Sequence, residues 1–403
     1  MLVLSRGAHA SPAARVLDEV RRGGVVMRDD LVESTELSQA TVARAVSTLV
    51  DAQLVRLRPD MVRAGATGRP SIPLQLDTRR HAVVGVHLGR VRTTVALSDV
   101  RGRVLESVDL TTPADLDGLA DRLAAAVASM RGGGRLVVSA GLVGAWADLG
   151  LDREALGAEL GEALGIDVST SDHITAAAAA EHAVGAQGAR GATAYVYARD
   201  TIGFAVAQES AIGTVISRSS RLTHFPIGSE TPCPCRAVGC LEATASDRAI
   251  AVRALADGVV EVADVAALHE AARSGSARAR TVLHDRAVAL GRAAAFVRDM
   301  VGCDRIVLVG QGFAHVRDAV VEGFDQATTL PPLAVDFGHY GDDLQAVAAG
   351  TIALVRFAED PLAHLASART ADARVTFADA RVARTDARVA REMPRTYVAR
   401  QAT

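Results

Sequence analysis

The sequence predicts an α/β protein in two main parts, a winged helix-turn-helix over residues 1–66 and a bilobed α/β unit over residues 81–359. Three observations predict it. Residues 11–53 carry three helix-length apolar patterns, broken at Gly23-Gly24 and at Thr35-Glu36-Leu37. Residues 54–58 and 61–63 then read as two short strands around Pro59-Asp60. From Ala82 on, strands come first and afterwards alternate with helices, the order of a layered α/β domain.

Ser11 and Pro12 supply an N-cap and a proline at the first helical position, and Val16, Leu17 and Val20 form the apolar stripe of the first helix. A second helix is expected over residues 28–34, with Leu31 and Val32 inward, and a third begins at the N-cap Ser38. On the third, Val42, Ala45, Val46, Leu49 and Gln53 share one face, which turns Ala40, Ala43, Arg44 and Ser47 outward with Gln39 and Thr41 beside them. Ser38, Gln39, Thr41, Arg44 and Ser47 are the side chains suited to base edges and phosphates, and the two alanines permit close approach to a major groove. A three-helix bundle with a solvated outer face has the same pattern; the strand pair favours the winged form. Arg56, Arg58 and Arg63 make that wing basic. Arg69, in Thr67-Gly68-Arg69-Pro70, suits a narrow minor groove, in competition with a plain linker over residues 67–80.

Composition bounds the rest. A chain of 403 residues with 49% hydrophobic content supports two or three domains with real cores. No apolar run approaches the roughly 20 residues of a membrane span, and residues 1–10 lack a signal-peptide core, so neither a membrane partner nor secretion is expected. Cys233, Cys235 and Cys240 fall within eight residues, which suits a metal cluster in a reducing compartment and points to the cytoplasm; Cys303 is assigned to the core. The net charge of −3 excludes a uniformly basic nucleic-acid binder, although residues 1–70 hold ten arginines against eight carboxylates.

His224 followed by Cys233-Pro-Cys235-Arg-Ala-Val-Gly239-Cys240-Leu241-Glu242 resembles the zinc signature of the ROK family of repressors and sugar kinases, and the resemblance runs from about Ser11 to Glu359. One imidazole and three thiolates also satisfy tetrahedral zinc on their own chemistry, closing the coordination sphere as structural sites do. The resemblance implies an actin-like, ribonuclease-H-like sugar-kinase-type fold for residues 81–359.

Phosphoryl transfer needs backbone loops that cradle phosphate, a carboxylate base and Mg²⁺. Where the family's first phosphate loop would stand the chain has His87-Leu88-Gly89-Arg90, and where its second would stand it has Arg199-Asp200-Thr201-Ile202-Gly203. A third glycine-rich stretch persists as Gly310-Gln311-Gly312. Counting back from Glu181 puts His173 at the position of the general base, with Asp172 one place early. Catalysis is not expected, and no catalytic residue is assigned. Asp172, His173, Arg221, His224 and Glu242 remain as a modified ligand pocket, in which Arg221 suits an acidic or phosphorylated sugar; internal ion pairs without any ligand are the competing reading.

From residue 360 to 403 the chain turns rich in Arg and Ala and repeats Asp-Ala-Arg-Val at Asp372, Asp379 and Asp386. One valine per heptad is too thin for a coiled coil, and a solvated tail is expected. Taken together, the resemblance implies a homodimer or higher homo-oligomer on double-stranded operator DNA, with one structural zinc and a sugar or sugar-phosphate effector. Two other readings stay open: an ATP-dependent sugar kinase with an accessory N-terminal domain, and a ligand-independent regulator with an inert, kinase-like dimerisation domain.

Overall fold

The computed structural model describes residues 2–5, 11–62, 72–130, 134–185, 191–210, 213–331 and 333–382. Strand β1 (Leu2–Ser5) precedes helix α1 (Pro12–Gly23), which starts where Ser11 Oγ accepts the Ala14 N–H at 3.2 Å. Helices α2 (Arg28–Thr35) and α3 (Gln39–Asp51) follow, α3 beginning at Ser38, whose Oγ accepts the Thr41 N–H at 3.2 Å. Both expected N-caps are therefore formed. Gln53 departs from the expected pattern: it lies beyond the end of α3 with φ 61° and is exposed, because the helix stops at Asp51.

The α2–α3 turn is made by Glu36 at φ 55°, ψ 26°. A left-handed residue with a Cβ costs roughly 1 kcal/mol. Glu36→Gly is accordingly expected to raise the unfolding free energy by about 0.5–1 kcal/mol in urea titrations; a lower value would mean that the glutamate side chain contributes more than its backbone costs.

Three short strands complete this region in the order β2 (Val25–Val26), β4 (Leu74–Leu76), β3 (Val55–Leu57), both pairings antiparallel. This corrects the expected wing. Pro59–Met61 is a 3-10 turn and Met61 and Val62 are not part of a returning strand; β3 pairs instead with β4, inside the stretch assigned to a linker. The physical reason is burial: Leu74 and Leu76 are 0% and 3% exposed with Gln75 between them, whereas Met61 is 43% exposed.

The chain divides into two compact units, one of Leu4–Ala176 with the chain from Gln345 on, the other of Met1–Val3 with Ala177–Leu344. In the first, the helices above share one apolar core with a five-stranded sheet of order β7-β6-β5-β8-β9. Its strands are β5 (His81–Leu88), β6 (Arg92–Asp99), β7 (Val104–Thr111), β8 (Leu136–Gly144) and β9 (Val168–Asp172). Helices α4 (Leu119–Met130), α5 (Trp146–Leu149) and α6 (Arg153–Leu164) connect them. All eight residues of β5 are buried. Gly85 and Gly141 let helix α13 (Leu344–Glu359) lie directly on the sheet, since a Cβ on either would sit 2.4 Å from the backbone of Gly350 or Ala349. Val100, Leu354 and Phe357 pack with Leu17 and Leu76, and Arg101 Nη1 donates to the Arg21 carbonyl at 3.1 Å, so α1 is seated on this body.

Helix α14 (Pro361–Val382) corrects the expected solvated tail over its first part. Leu365 and Ala368 are buried and Leu362 and Ala371 half-buried, an i, i+3 stripe that the Asp-Ala-Arg-Val repeat hides from view.

The second unit repeats the plan. Its sheet has the order β1-β12-β11-β10-β13-β14, with β10 (Ala192–Ala198), β11 (Ile202–Ser210) and β12 (Gly213–Arg221) antiparallel and β13 (Arg305–Gly310) and β14 (Val335–Phe337) added in parallel. Both sheets thus grow as an antiparallel meander followed by two parallel crossovers. Helix α7 (His173–Gly185) leads into this unit; α8 (Leu241–Ala245), α9 (Asp247–Ala256), α10 (Val265–Arg273), α11 (Ala277–Val301) and α12 (Arg317–Ala327) cover it. Among the described residues no helix is long and apolar enough to cross a membrane.

Candidate nucleic-acid interface and metal centre

Helix α3 buries Val42, Ala45, Val46 and Leu49 and leaves Ser38, Gln39, Ala40, Ala43, Arg44 and Ser47 exposed, with Thr41 half-buried. The exposed polar side chains are already ordered relative to one another. Ser38 Oγ lies 2.9 Å from Thr41 Oγ1, and Arg44 Nη2 donates to that same hydroxyl at 3.5 Å. Polar groups preset on a rigid helix lose little conformational entropy on meeting a groove.

Arg56 and Arg58, on and just after β3, have partners. Arg56 donates from Nε and Nη2 to Gln75 Oε1 at 3.1 and 2.5 Å, and Arg58 reaches the same oxygen and the Asp60 carboxylate. Hydrogen bonding to Arg58 holds the Asp60 carboxyl below its ordinary pKa, so this stretch is less basic than its arginine count suggests. Arg63 and Arg69 lie outside the described residues.

His224 Nδ1, Cys233 Sγ, Cys235 Sγ and Cys240 Sγ all lie within 4.8 Å of one another. Cys235 and Cys240 are 3.6 Å apart and Cys233 is 3.6 Å from His224. Two thiolates on a tetrahedral zinc at 2.3 Å would stand about 3.8 Å apart, so the four atoms already have the spacing of a closed sphere. The loop that brings them together is held by isolated bridges between Pro226 and Cys240 and between Pro232 and Val238. Gly239, at φ 81°, is required there because a Cβ would meet Ser229 O at 2.4 Å. Burial and the neighbouring thiols push Cys240 up to about 12, while the Ala237 backbone hydrogen bond lowers Cys235.

The residues of the expected ligand pocket are distributed over both units. Asp172 ends β9 and caps α7, accepting from Thr175 N–H at 2.9 Å and from Thr175 Oγ1 at 2.6 Å, and His173 Nδ1 lies 3.2 Å from the Gly144 carbonyl. In the other unit Arg221 Nη2 donates to Glu242 Oε1 and Oε2 at 3.2 and 3.3 Å, and Thr223 Oγ1 donates to the same carboxylate at 2.9 Å. Residues 221–225 line an open depression of about 590 Å³.

In each of the first two stretches where a phosphate loop was sought, one backbone donor is engaged within the chain. Gly89 N–H donates to Arg92 O at 3.1 Å, closing a tight β5–β6 turn, and Ile202 N–H is directed at Glu242 Oε2 at 3.4 Å. A buried cluster joining Arg199, Asp247, Arg286 and Gln311 escaped sequence reasoning, because its members are up to 112 residues apart and no local pattern links them.

The ROK family model matches residues 83–329. A transcriptional regulator of Mycobacterium tuberculosis is 31% identical over 396 residues, covering 91% of this chain and 90% of the relative, and one of Mycobacterium bovis matches to the same extent. Among solved structures, a ROK family transcriptional regulator described as a homolog of the E. coli MLC protein superposes with a TM-score of 0.69 at 22% identity, covering 89% of this chain and 98% of that one. A ROK hexokinase from Thermus thermophilus superposes with a TM-score of 0.51 at 25% identity over 68% of this chain and 98% of its own.

Proposed function

The chain belongs to the ROK family, and from that premise we infer that it is a transcription regulator that reads operator DNA through α3 and performs no phosphoryl transfer. The observation that carries the reading is the exposed, pre-ordered polar face of α3, from Ser38 to Ser47, on a fold shared over most of its length with relatives named transcriptional regulators. In this reading Ser38, Gln39, Thr41, Arg44 and Ser47 contact a major groove, and β3, β4 and their connection, with Arg63 and Arg69, form the wing of a winged helix-turn-helix. Two copies related by a two-fold axis present their α3 helices to half-sites about one helical turn apart.

His224, Cys233, Cys235 and Cys240 hold one structural zinc, which braces the loop in front of α8. A sugar or sugar phosphate acting as effector has to displace Glu242 from Arg221, an exchange that favours a phosphate or carboxylate group because it can take up both guanidinium donors. Asp172 and His173 are the candidate ligand contacts on the first unit, taken by itself. An ATP-dependent sugar kinase would need the backbone donors of Gly89 and Ile202 for phosphate, and these are occupied.

Selection of genomic fragments by the purified protein tests the reading. Wild type is expected to enrich a recurrent palindrome, and the Arg44→Ala/Ser47→Ala protein to lose at least tenfold in affinity for it, about 1–3 kcal/mol per lost base contact. Equal enrichment of all fragments by both proteins would overturn it.

A further inference from the structure

Asp247 is 5% exposed, and its carboxylate is held from three directions. Arg286 of α11, itself 4% exposed, donates from Nη2 to Asp247 Oδ1. Gln311 Nε2 donates to Oδ2 at 2.8 Å, and Arg199 Nε stands 3.6 Å from the same oxygen. The Asp247 N–H donates to Arg199 O at 3.1 Å, and Arg286 Nε to Ala245 O at 2.9 Å, so the cluster is also tied to backbone. Arg199 belongs to the segment between β10 and β11, and Gln311 to the Gly-Gln-Gly segment after β13. One buried carboxylate therefore cross-links the two segments that stand where phosphate loops would be.

The donor set is the kind that recognises phosphate: two guanidinium groups and an amide converging on one anion. Here the anion is part of the chain. The space above the third segment is also filled, since a Cβ on Gly312 would lie 2.0 Å from the His269 ring. Burial, and then Arg286, hold His269 below its ordinary pKa, so it covers the segment as a neutral ring.

We propose that Asp247 is an internal anion that fills the phosphate position of this unit and excludes external phosphates, and that the position becomes a phosphate-binding site when that carboxylate is removed. This rests on the second unit alone and is independent of DNA reading by α3.

The test compares the full chain with its Asp247→Gly and Asp247→Ala variants by thermal melting and titration calorimetry, in chloride and with inorganic phosphate or ATP at matched ionic strength. With Arg221→Ala in every chain, which removes the effector contact proposed above, the chain that keeps Asp247 is expected to have the same midpoint in both anions, with no heat of phosphate binding. Asp247→Gly leaves Arg286 buried without a counter-charge and melts roughly 10 °C lower in chloride; saturating phosphate restores about half of that and binds measurably. If Asp247→Gly does not fold, Asp247→Ala, which also vacates the space of the carboxylate but restricts the backbone more, is expected to show the same anion dependence. Asp247→Gly/Arg286→Met removes both charges and should lose the phosphate response. The chain that keeps Asp247 binding phosphate or ATP as tightly as the variants, or variants whose melting ignores the anion, would overturn the proposal.

Discussion

A Cys240→Ser protein is expected to purify without zinc and to melt at least 10 °C below wild type. Cys240 is 2% exposed, stands at the start of α8 and forms one side of the bridge to Pro226, so a metal held by the proposed set would tie the loop to the body of its unit. Backbone hydrogen bonds shape that loop, but few of its side chains are buried. Thr231, Cys233, Cys235 and Val238 are half-buried or exposed, and Arg236 sits at φ 74°, a conformation that costs a residue with a Cβ roughly 1 kcal/mol. A structural zinc supplies on the order of 10 kcal/mol of apparent binding free energy at neutral pH, and three ligands retain only part of it. At about 2–4 °C per kcal/mol for a unit of this size, losing a few kcal/mol gives the stated shift. Elemental analysis should give about one zinc per wild-type chain and none in the variant, and a chelator should bring wild type to the variant's midpoint. A Cys240→Ser protein with full zinc content and an unchanged midpoint would remove the metal from the account.

The parts of the fold legible in the sequence were those set by neighbours along the chain. The Ser11 and Ser38 caps, the buried stripe of α3 and the crowding of three cysteines are all local patterns, and each has its counterpart in the structure. The strand that pairs with β3 was misplaced because it is only three residues long and lies 17 residues after β3; pairing at that distance is decided by which leucines find a core, not by turn chemistry near Pro59. Helix α14 was hidden for a related reason: its contact stripe of Leu362, Leu365, Ala368 and Ala371 ends just as the conspicuous repeat begins.

The expected pocket shows the limit more sharply. Sequence leaves open whether Arg221 and Glu242 line a ligand pocket or pair internally, and the structure makes them an ion pair, because β12 and α8 bring residues 21 apart into contact. Any effector contact at this place is therefore an exchange of partners for Arg221, and its affinity is the difference between two charge-assisted pairings. A neutral sugar bonding only through hydroxyls gains less from Arg221 than Glu242 already supplies.

Acidification should destabilise the protein through His81, and the sign follows from its surroundings. The ring is 2% exposed at the start of β5 and its Nδ1 is buried without a hydrogen-bond partner. Burial, reinforced by Arg369 of α14 and Arg80 and opposed by Asp77, lowers its pKa to about 4, against 6.5 in an open chain. Between those values the unfolded chain binds a proton that the folded protein refuses. The contribution is fully present above pH 6.5 and is lost as pH falls from 6.5 toward 4, reaching about 3 kcal/mol at the lower end. Asp77, held below its ordinary pKa by Arg79, keeps its charge through most of that window and loses its own stabilising effect only at still lower pH. His269, also lowered by burial, acts in the same direction, so wild type alone cannot isolate His81. His81→Leu can: it removes the titrating ring and fills the site with an apolar side chain. Urea unfolding at pH 7 and pH 4.5 is expected to show a loss smaller in His81→Leu than in wild type by about 2–3 kcal/mol. Parallel losses in the two proteins would mean that His81 stays accessible to protons in the folded state and that its surroundings at the start of β5 open readily.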